Sequence, residues 1–155
     1  MLNYSFPVDA AIKALKFGRK LYYAPAFSEV LCTAGPLLPA DVDAILPVPL
    51  HWRRKARRGF NQATEIAKPL ASLLGLPLLR GIRRCKATPK QSGLDAKART
   101  RNLQHAFRST RTHRHSHVLI VDDVRTTGAT ARAVARVLLE NGVREVSLLT
   151  LARVG

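Results

Sequence analysis

The segment VLIVDDVRTTGAT, residues 118–130, concentrates groups that do chemistry together. Asp122 and Asp123 are adjacent carboxylates that follow a β-branched apolar run. Arg125, Thr126, Thr127, Gly128, Ala129 and Thr130 then open into a helical pattern. A buried strand that ends in acids delivers them to the carboxyl edge of a sheet, where open α/β sheets bind ligands. Gly128 lets backbone amides approach a ligand closely, the threonines offer hydroxyl donors, and the helix start adds unpaired N–H groups with partial positive charge. Loop and helix start together make a phosphate cradle. The acids would repel that phosphate, so they suit vicinal sugar hydroxyls or a divalent metal a few ångströms away. Phosphate next to a diol is what a ribose 5-phosphate unit presents. A lone Asp-Asp after a strand is most often a turn or a helix cap, and T-T-G-x-T alone is a weak phosphate signal. Their order, between an apolar strand and an apolar-faced helix, makes the constellation specific. It matches neither G-x-x-x-x-G-K-[ST] nor G-x-G-x-x-G.

The flanking elements read as an α/β fold. Helical spacing predicts helices over 8–17, about 24–34, 61–74 (stopped by Gly75) and 130–141 (closed by Gly142). Apolar runs predict strands at 44–50, 77–84, 106–109, 118–121 and 146–151, with Pro47 and Pro49 turning the first into a rigid loop. Alternation of strand and helix in the second half predicts a mainly parallel twisted sheet flanked by helices. At 155 residues the expectation is one domain, 1–155, with a long polar lid loop over about 86–104.

Charge is the unusual property. The net charge is +16, and it is concentrated: residues 53–58 hold five cations, and 80–114 hold eleven against a single acid, Asp95. Two basic stretches of this kind imply an anionic partner, either a polyphosphate or a nucleic acid. No run approaches the ~20 apolar residues of a membrane span, and the start has no signal-peptide pattern, so the expected location is cytoplasmic. Cys32 and Cys85 are too few and too far apart for a zinc ribbon or a disulfide framework. His113, His115 and His117 alternate before a strand, but no Cys, Asp or Glu stands close in sequence. They are expected to be exposed loop histidines, and no bound zinc is expected.

Residues 118–130 resemble the phosphoribosyl-pyrophosphate (PRPP) motif of the type I phosphoribosyltransferases. Leu46-Pro47-Val48-Pro49-Leu50, Arg57-Arg58-Gly59-Phe60-Asn61-Gln62-Ala63, and Gln91, Arg99, Asn102 and Ala106-Phe107 in the run QSGLDAKARTRNLQHAF resemble the ComF/GntX-type competence family within that superfamily. The resemblance extends from about Phe6 to Arg153. It implies a type I phosphoribosyltransferase-like fold and a transferase that uses Mg²⁺ carried by the substrate, with no direct protein ligation of the metal. Asp122 and Asp123 would bind the ribose hydroxyls, and Arg125 to Thr130 would surround the 5′-phosphate. Arg57, Arg58 and Gly59, with Lys90 and Arg99 of the lid, would meet pyrophosphate. Both basic stretches fall on those pyrophosphate segments.

Two departures from the family qualify that picture. Its members usually begin with a four-cysteine zinc ribbon, whereas this sequence begins at the following Tyr-x-Phe-Pro-Val-Asp segment. Purine-type relatives often carry an aspartate where Thr126 stands, and a threonine cannot serve as a general base at neutral pH. The acceptor is therefore unassigned. A role in competence or DNA use is implied, with nucleic acid and a second copy of the chain as further partners to consider. The rival reading is a non-catalytic PRPP- or nucleotide-responsive DNA-binding component of an uptake system. Trp52 beside the arginines would then be a stacking residue, although a loop-edge packing role is the more ordinary one. Arg125 has two open roles, a phosphate contact or a solvated side chain.

Overall fold

The computed structural model describes residues 2–33, 38–86, 103 and 105–154. Its centre is a parallel sheet of four strands in the order β1-β6-β5-β2. These are β1 (Leu2–Asn3), β2 (Ala44–Pro47), β5 (His117–Arg125) and β6 (Glu145–Arg153). Register runs from Ala44↔Val118 to Pro47↔Val121 between β2 and β5, and from His117↔Glu145 to Arg125↔Arg153 between β5 and β6. β2 ends at Pro47; Val48 N–H still donates to Val121 O at 2.9 Å, and Pro49, which has no N–H, follows. The α/β parallel architecture expected from the sequence is the one observed.

Two apolar layers cover the sheet. One joins Leu119, Val121, Ile45 and Leu151 to helices α1 (Val8–Gly18), α2 (Tyr23–Cys32) and α4 (Gln62–Leu74). Ile12 and Leu15 of α1, and Ile66, Ala67 and Leu70 of α4, lie on the faces that the 3.6-residue period marks as inward. Ser28 is a buried polar group within this layer. Its hydroxyl donates to Ala24 O at 2.8 Å and lies 2.7 Å from Ile66 O, linking α2 to α4. The other layer packs Val118, Ile120, Ala44 and Leu46 under α5 (Ala129–Glu140), through Val134 and Leu138, and against a small antiparallel pair. That pair is β3 (Ile82–Arg84) with β4 (Phe107–Ser109).

Three elements differ from the sequence reading. The short edge strand β1 (Leu2–Asn3), paired with Ala152 and Arg153 of β6, stands where no strand was expected. The expected strand 77–84 is split. Leu78 makes an isolated parallel bridge to Ile45, and β3 starts only at Ile82. Gly81 lies between them with φ +108°, a conformation that interrupts extension and turns the chain off the main sheet. Residues after Leu50, expected to be loop, contain helix α3 (Trp52–Arg58). Its Arg, Lys and Ala residues are good helix formers, and His51 caps it by accepting from Arg53 N–H at 3.3 Å. None of its residues is buried, so there was no apolar period to reveal it.

Candidate functional site

The acid pair sits where the sequence placed it, at the carboxyl end of β5, but the two carboxyls have different neighbours. Asp123 is only 4% exposed, and its Oδ2 lies 2.7 Å from Lys16 Nζ near the end of α1. Asp122 is half-buried, and its carboxyl is pushed up to about 8, first by burial and then by the charge of Asp123. Each carboxylate also accepts the next backbone N–H, Asp123 N–H to Asp122 Oδ1 at 2.9 Å and Val124 N–H to Asp123 Oδ1 at 2.8 Å. These two bonds hold the acids against their own backbone.

Cations surround this pair from three elements. Arg58, the last residue of α3, feels the Asp123 charge, donates to Gln62 Oε1 and lies over the Phe17 ring at 5.3 Å. Arg84 on β3 feels the Asp122 charge and lies over the Phe107 ring at 5.4 Å. Burial lowers both guanidinium pKa values, yet arginine remains cationic at neutral pH. Lys16 and Arg84 were missed by the sequence reading. Lys16 reads as an ordinary residue of an amphipathic helix, and Arg84 as one cation among many.

Arg125, half-buried and expected in the loop, is instead the last residue of β5, paired with Arg153; the loop then passes through Thr126, exposed, to Gly128 at φ +71°. Thr127 Oγ1 accepts from Ala129 N–H at 3.4 Å, and Arg132 N–H donates to Gly128 O at 3.0 Å as α5 begins. A Cβ at Gly128 would lie 3.1 Å from Arg132 Nη1, so that guanidinium folds back over the loop. Ala129 has its side chain in the core beneath α5, and only its backbone faces the loop. Thr130 is half-buried in the first turn. A cleft of about 480 Å³ opens here, lined by Arg125, Thr126, Thr127, Gly128 and Arg132 with apolar residues of α5 and β6. Arg125 thus lines a cleft, and Arg132 is a second cation that the sequence reading did not select. Its one signal is the spacing of a helical turn after Gly128.

Arg57 and Arg58 lie on α3, and Gly59 closes that helix, its N–H donating to Lys55 O at 2.7 Å. The first basic stretch is therefore a helix, and its last residue, Arg58, lies close enough to Asp123 to feel its charge. Lys90 and Arg99, with most of segment 86–104, for which a lid is expected, lie outside the described residues.

The histidines correct an expectation. His113 is 6% exposed and His117 only 1%, so neither is an exposed loop residue. His113 Nε2 is 2.9 Å from Ser109 Oγ, and His117 Nε2 is 2.9 Å from Ser147 Oγ. His117 starts β5, at the other end of that strand from the acid pair, and Ser109, which holds His113, belongs to the separate antiparallel pair.

Residues 56–155 match the phosphoribosyl transferase domain family. The DNA utilization protein YhgH of Escherichia coli O157:H7 is 39% identical over 160 residues, covering 97% of this chain and 69% of that protein. Competence protein F of Haemophilus influenzae is 42% identical over 115 residues, covering 72% and 50%. Competence protein ComFC of Bacillus subtilis is 33% identical over 155 residues, covering 97% and 62%. Among solved structures, the glutamine PRPP amidotransferase of B. subtilis, complexed with ADP and GMP, superposes with a TM-score of 0.51 at 17% identity. It covers 83% of this chain and 26% of that one, a likeness of fold. No helix among the described residues is long and apolar enough to cross a membrane. On the matched domain, the parallel sheet and the named relatives, the chain belongs to the ComF-type family of the phosphoribosyltransferase superfamily.

Proposed function

We propose that this chain binds PRPP with Mg²⁺ and transfers its phosphoribosyl group to an acceptor connected with DNA use, acting in the cytoplasm. The observation that carries this reading is the juxtaposition at one sheet edge of an acid pair, a threonine-glycine loop and cations from α1, α3 and β3. In this reading Asp122 and Asp123 accept from the ribose hydroxyls. Thr126 to Thr130, with Arg132, hold the 5′-phosphate through hydroxyls, backbone N–H groups and one guanidinium. Arg57 and Arg58 stabilise the negative charge that builds on pyrophosphate as the bond to C1 of ribose breaks.

The oxygen-only donors at the strand end suit a hard cation such as Mg²⁺. The Lys16 contact leaves Asp123 poorly placed as a direct ligand, which agrees with a metal held by substrate oxygens. Mg²⁺ would neutralise pyrophosphate charge when bound. Lys90 and Arg99 complete the proposed pyrophosphate set, and closure of 86–104 would exclude water from the reacting centre. Thr126 offers no base, so an acceptor of the purine type fits less well.

A second reading has its own observation. Trp52 is 64% exposed on the basic helix α3, with Arg53 5.3 Å above its ring, a surface on which a nucleobase could stack. On that reading the chain is a PRPP- or nucleotide-responsive DNA-binding component. Pyrophosphate release from Mg-PRPP, measured with a panel of bases and nucleic acids, separates the two. Release that depends on one acceptor supports transfer. PRPP binding without release under every acceptor, together with tight single-stranded DNA binding, favours the second.

A further inference from the structure

At the amino-terminal end of the sheet, three ligand-bearing side chains from three different segments converge. His117 begins β5, and Glu145 stands directly opposite it in the β5–β6 register. Asp41 precedes β2. Their ligand atoms all lie within 4.8 Å of one another. Backbone bonds fix this corner: Asp43 N–H donates to His117 O at 3.0 Å, Ser116 N–H to Asp43 Oδ2 at 2.7 Å, and Glu145 N–H to Ser116 O at 2.9 Å.

The imidazole carries the argument. His117 is almost fully buried, and Nδ1 has no hydrogen bond of acceptable geometry, although Asp41 Oδ1 lies 3.0 Å away. Its other nitrogen is held by Ser147 Oγ at 2.9 Å. The ring has two tautomers: in one, Nδ1–H faces Asp41; in the other, Nε2–H donates to Ser147 Oγ and the Nδ1 lone pair is left on the side of the two carboxylates, as in metal-ligating histidines. The chain has only ten acids against twenty-six Lys and Arg. Two of those ten nevertheless converge on one buried imidazole, and two carboxylates repel each other unless a cation lies between.

The geometry points to a divalent transition-metal site formed by Asp41, His117 and Glu145. One imidazole with two carboxylates and an open fourth position selects Zn²⁺ over Mg²⁺, because imidazole suits the former and oxygen-only sets the latter. Ligands at about 2.0–2.1 Å around a tetrahedral ion stand roughly 3.3 Å apart. His117 is fixed, and separations of up to 4.8 Å close to that spacing when the exposed carboxylates shift by up to about 1.5 Å. The site ties the segment before β2 to β5 and β6. At about 3.3 Å per strand residue, it is some 17 Å from Asp122 along β5, too far to take part in the chemistry there.

Metal-stripped protein titrated with Zn²⁺ in the absence of PRPP tests this. One Zn²⁺ should bind per chain and raise the melting temperature, and Co²⁺ in its place should give the visible absorption of a four-coordinate site. Glu145→Gln should leave the melting temperature of metal-free protein unchanged, since Glu145 is exposed, and weaken Zn²⁺ binding about tenfold or more. Asp41→Asn should do the same, while Asp122→Asn with Asp123→Asn should retain the metal. Absence of stoichiometric Zn²⁺ would overturn the assignment. So would equal affinity in Glu145→Gln, or loss of binding in Cys32→Ser with Cys85→Ser.

Discussion

Lys16 Nζ lies 2.7 Å from Asp123 Oδ2, so an early helix supplies the counter-charge for one half of the acid pair at the end of β5. The acid is nearly buried and the lysine mostly so, which makes the pair sensitive to loss of either partner. Lys16→Met leaves the Asp123 carboxylate without that cation. The expected cost is about 3 kcal/mol, the low end for breaking a buried pair because Lys16 keeps some solvent. Urea unfolding at neutral pH measures it, and Lys16→Arg should recover part of the loss. A loss below about 0.5 kcal/mol, the scale of an exposed pair, would show that the contact is not held in solution.

Asp122 sets a pH dependence with a definite sign. Its folded pKa, about 8, is above the ordinary carboxylate value, so the folded chain binds more protons than the unfolded chain between the two. That contribution to stability is fully present below about pH 4 and is lost as pH rises toward 8. Wild type should therefore lose more stability than Asp122→Asn between pH 5 and 8. If the acid pair accepts from ribose hydroxyls, PRPP binding should also release close to one proton near pH 7. Calorimetry in buffers of differing ionisation enthalpy would detect it, and a proton count of zero removes Asp122 from that role.

Replacement of both Asp122 and Asp123 by Asn should weaken Mg-PRPP binding while the protein still unfolds cooperatively, since Asn keeps the size and the hydrogen-bond acceptor of each acid. Unchanged affinity in the double variant would remove the ribose assignment. Loss of cooperative unfolding would instead mark the Asp123–Lys16 pair as structural.

Arg57→Gln with Arg58→Gln distinguishes the uses of the basic helix α3. If these side chains serve pyrophosphate, PRPP affinity should fall by tenfold or more, about 1.4 kcal/mol, while ribose 5-phosphate binding barely changes. If α3 serves nucleic acid, DNA affinity should fall steeply with salt, with a log–log slope near −0.7 per neutralised phosphate on a single strand, and each Arg→Gln change should flatten it. Equal losses for PRPP and ribose 5-phosphate, with tight salt-sensitive DNA binding in wild type, would sink the pyrophosphate role.

Gly128→Val introduces a branched side chain at φ +71° and directs it at Arg132. About 1–3 kcal/mol of destabilisation is expected from the backbone conformation alone, together with reduced ribose 5-phosphate affinity because the loop and Arg132 move. Wild-type affinity in a folded Gly128→Val protein would place the 5′-phosphate elsewhere.

Much of this protein is legible in its linear order, because the responsible forces are local. The β-branched run before Asp122, the glycine that opens α5 and the apolar spacing of α1 and α4 each act within one turn or one strand. Amphipathic spacing, capping and turn chemistry therefore reveal them, and the phosphate-type loop with its two acids is a contiguous string. Helix α3 escaped that reading because it buries nothing, and the break before β3 because Gly81 bends an apolar run that otherwise continues. The partners of the site were beyond reach for a different reason. Lys16 meets Asp123 across 107 residues of chain, Arg84 approaches Asp122 from a separate sheet, and Asp41 reaches His117 from before β2. Which charges neutralise a buried acid, and which acids gather at a buried imidazole, depends on how parallel strands align their ends. That alignment is a property of long-range pairing and packing, and residue spacing carries no record of it.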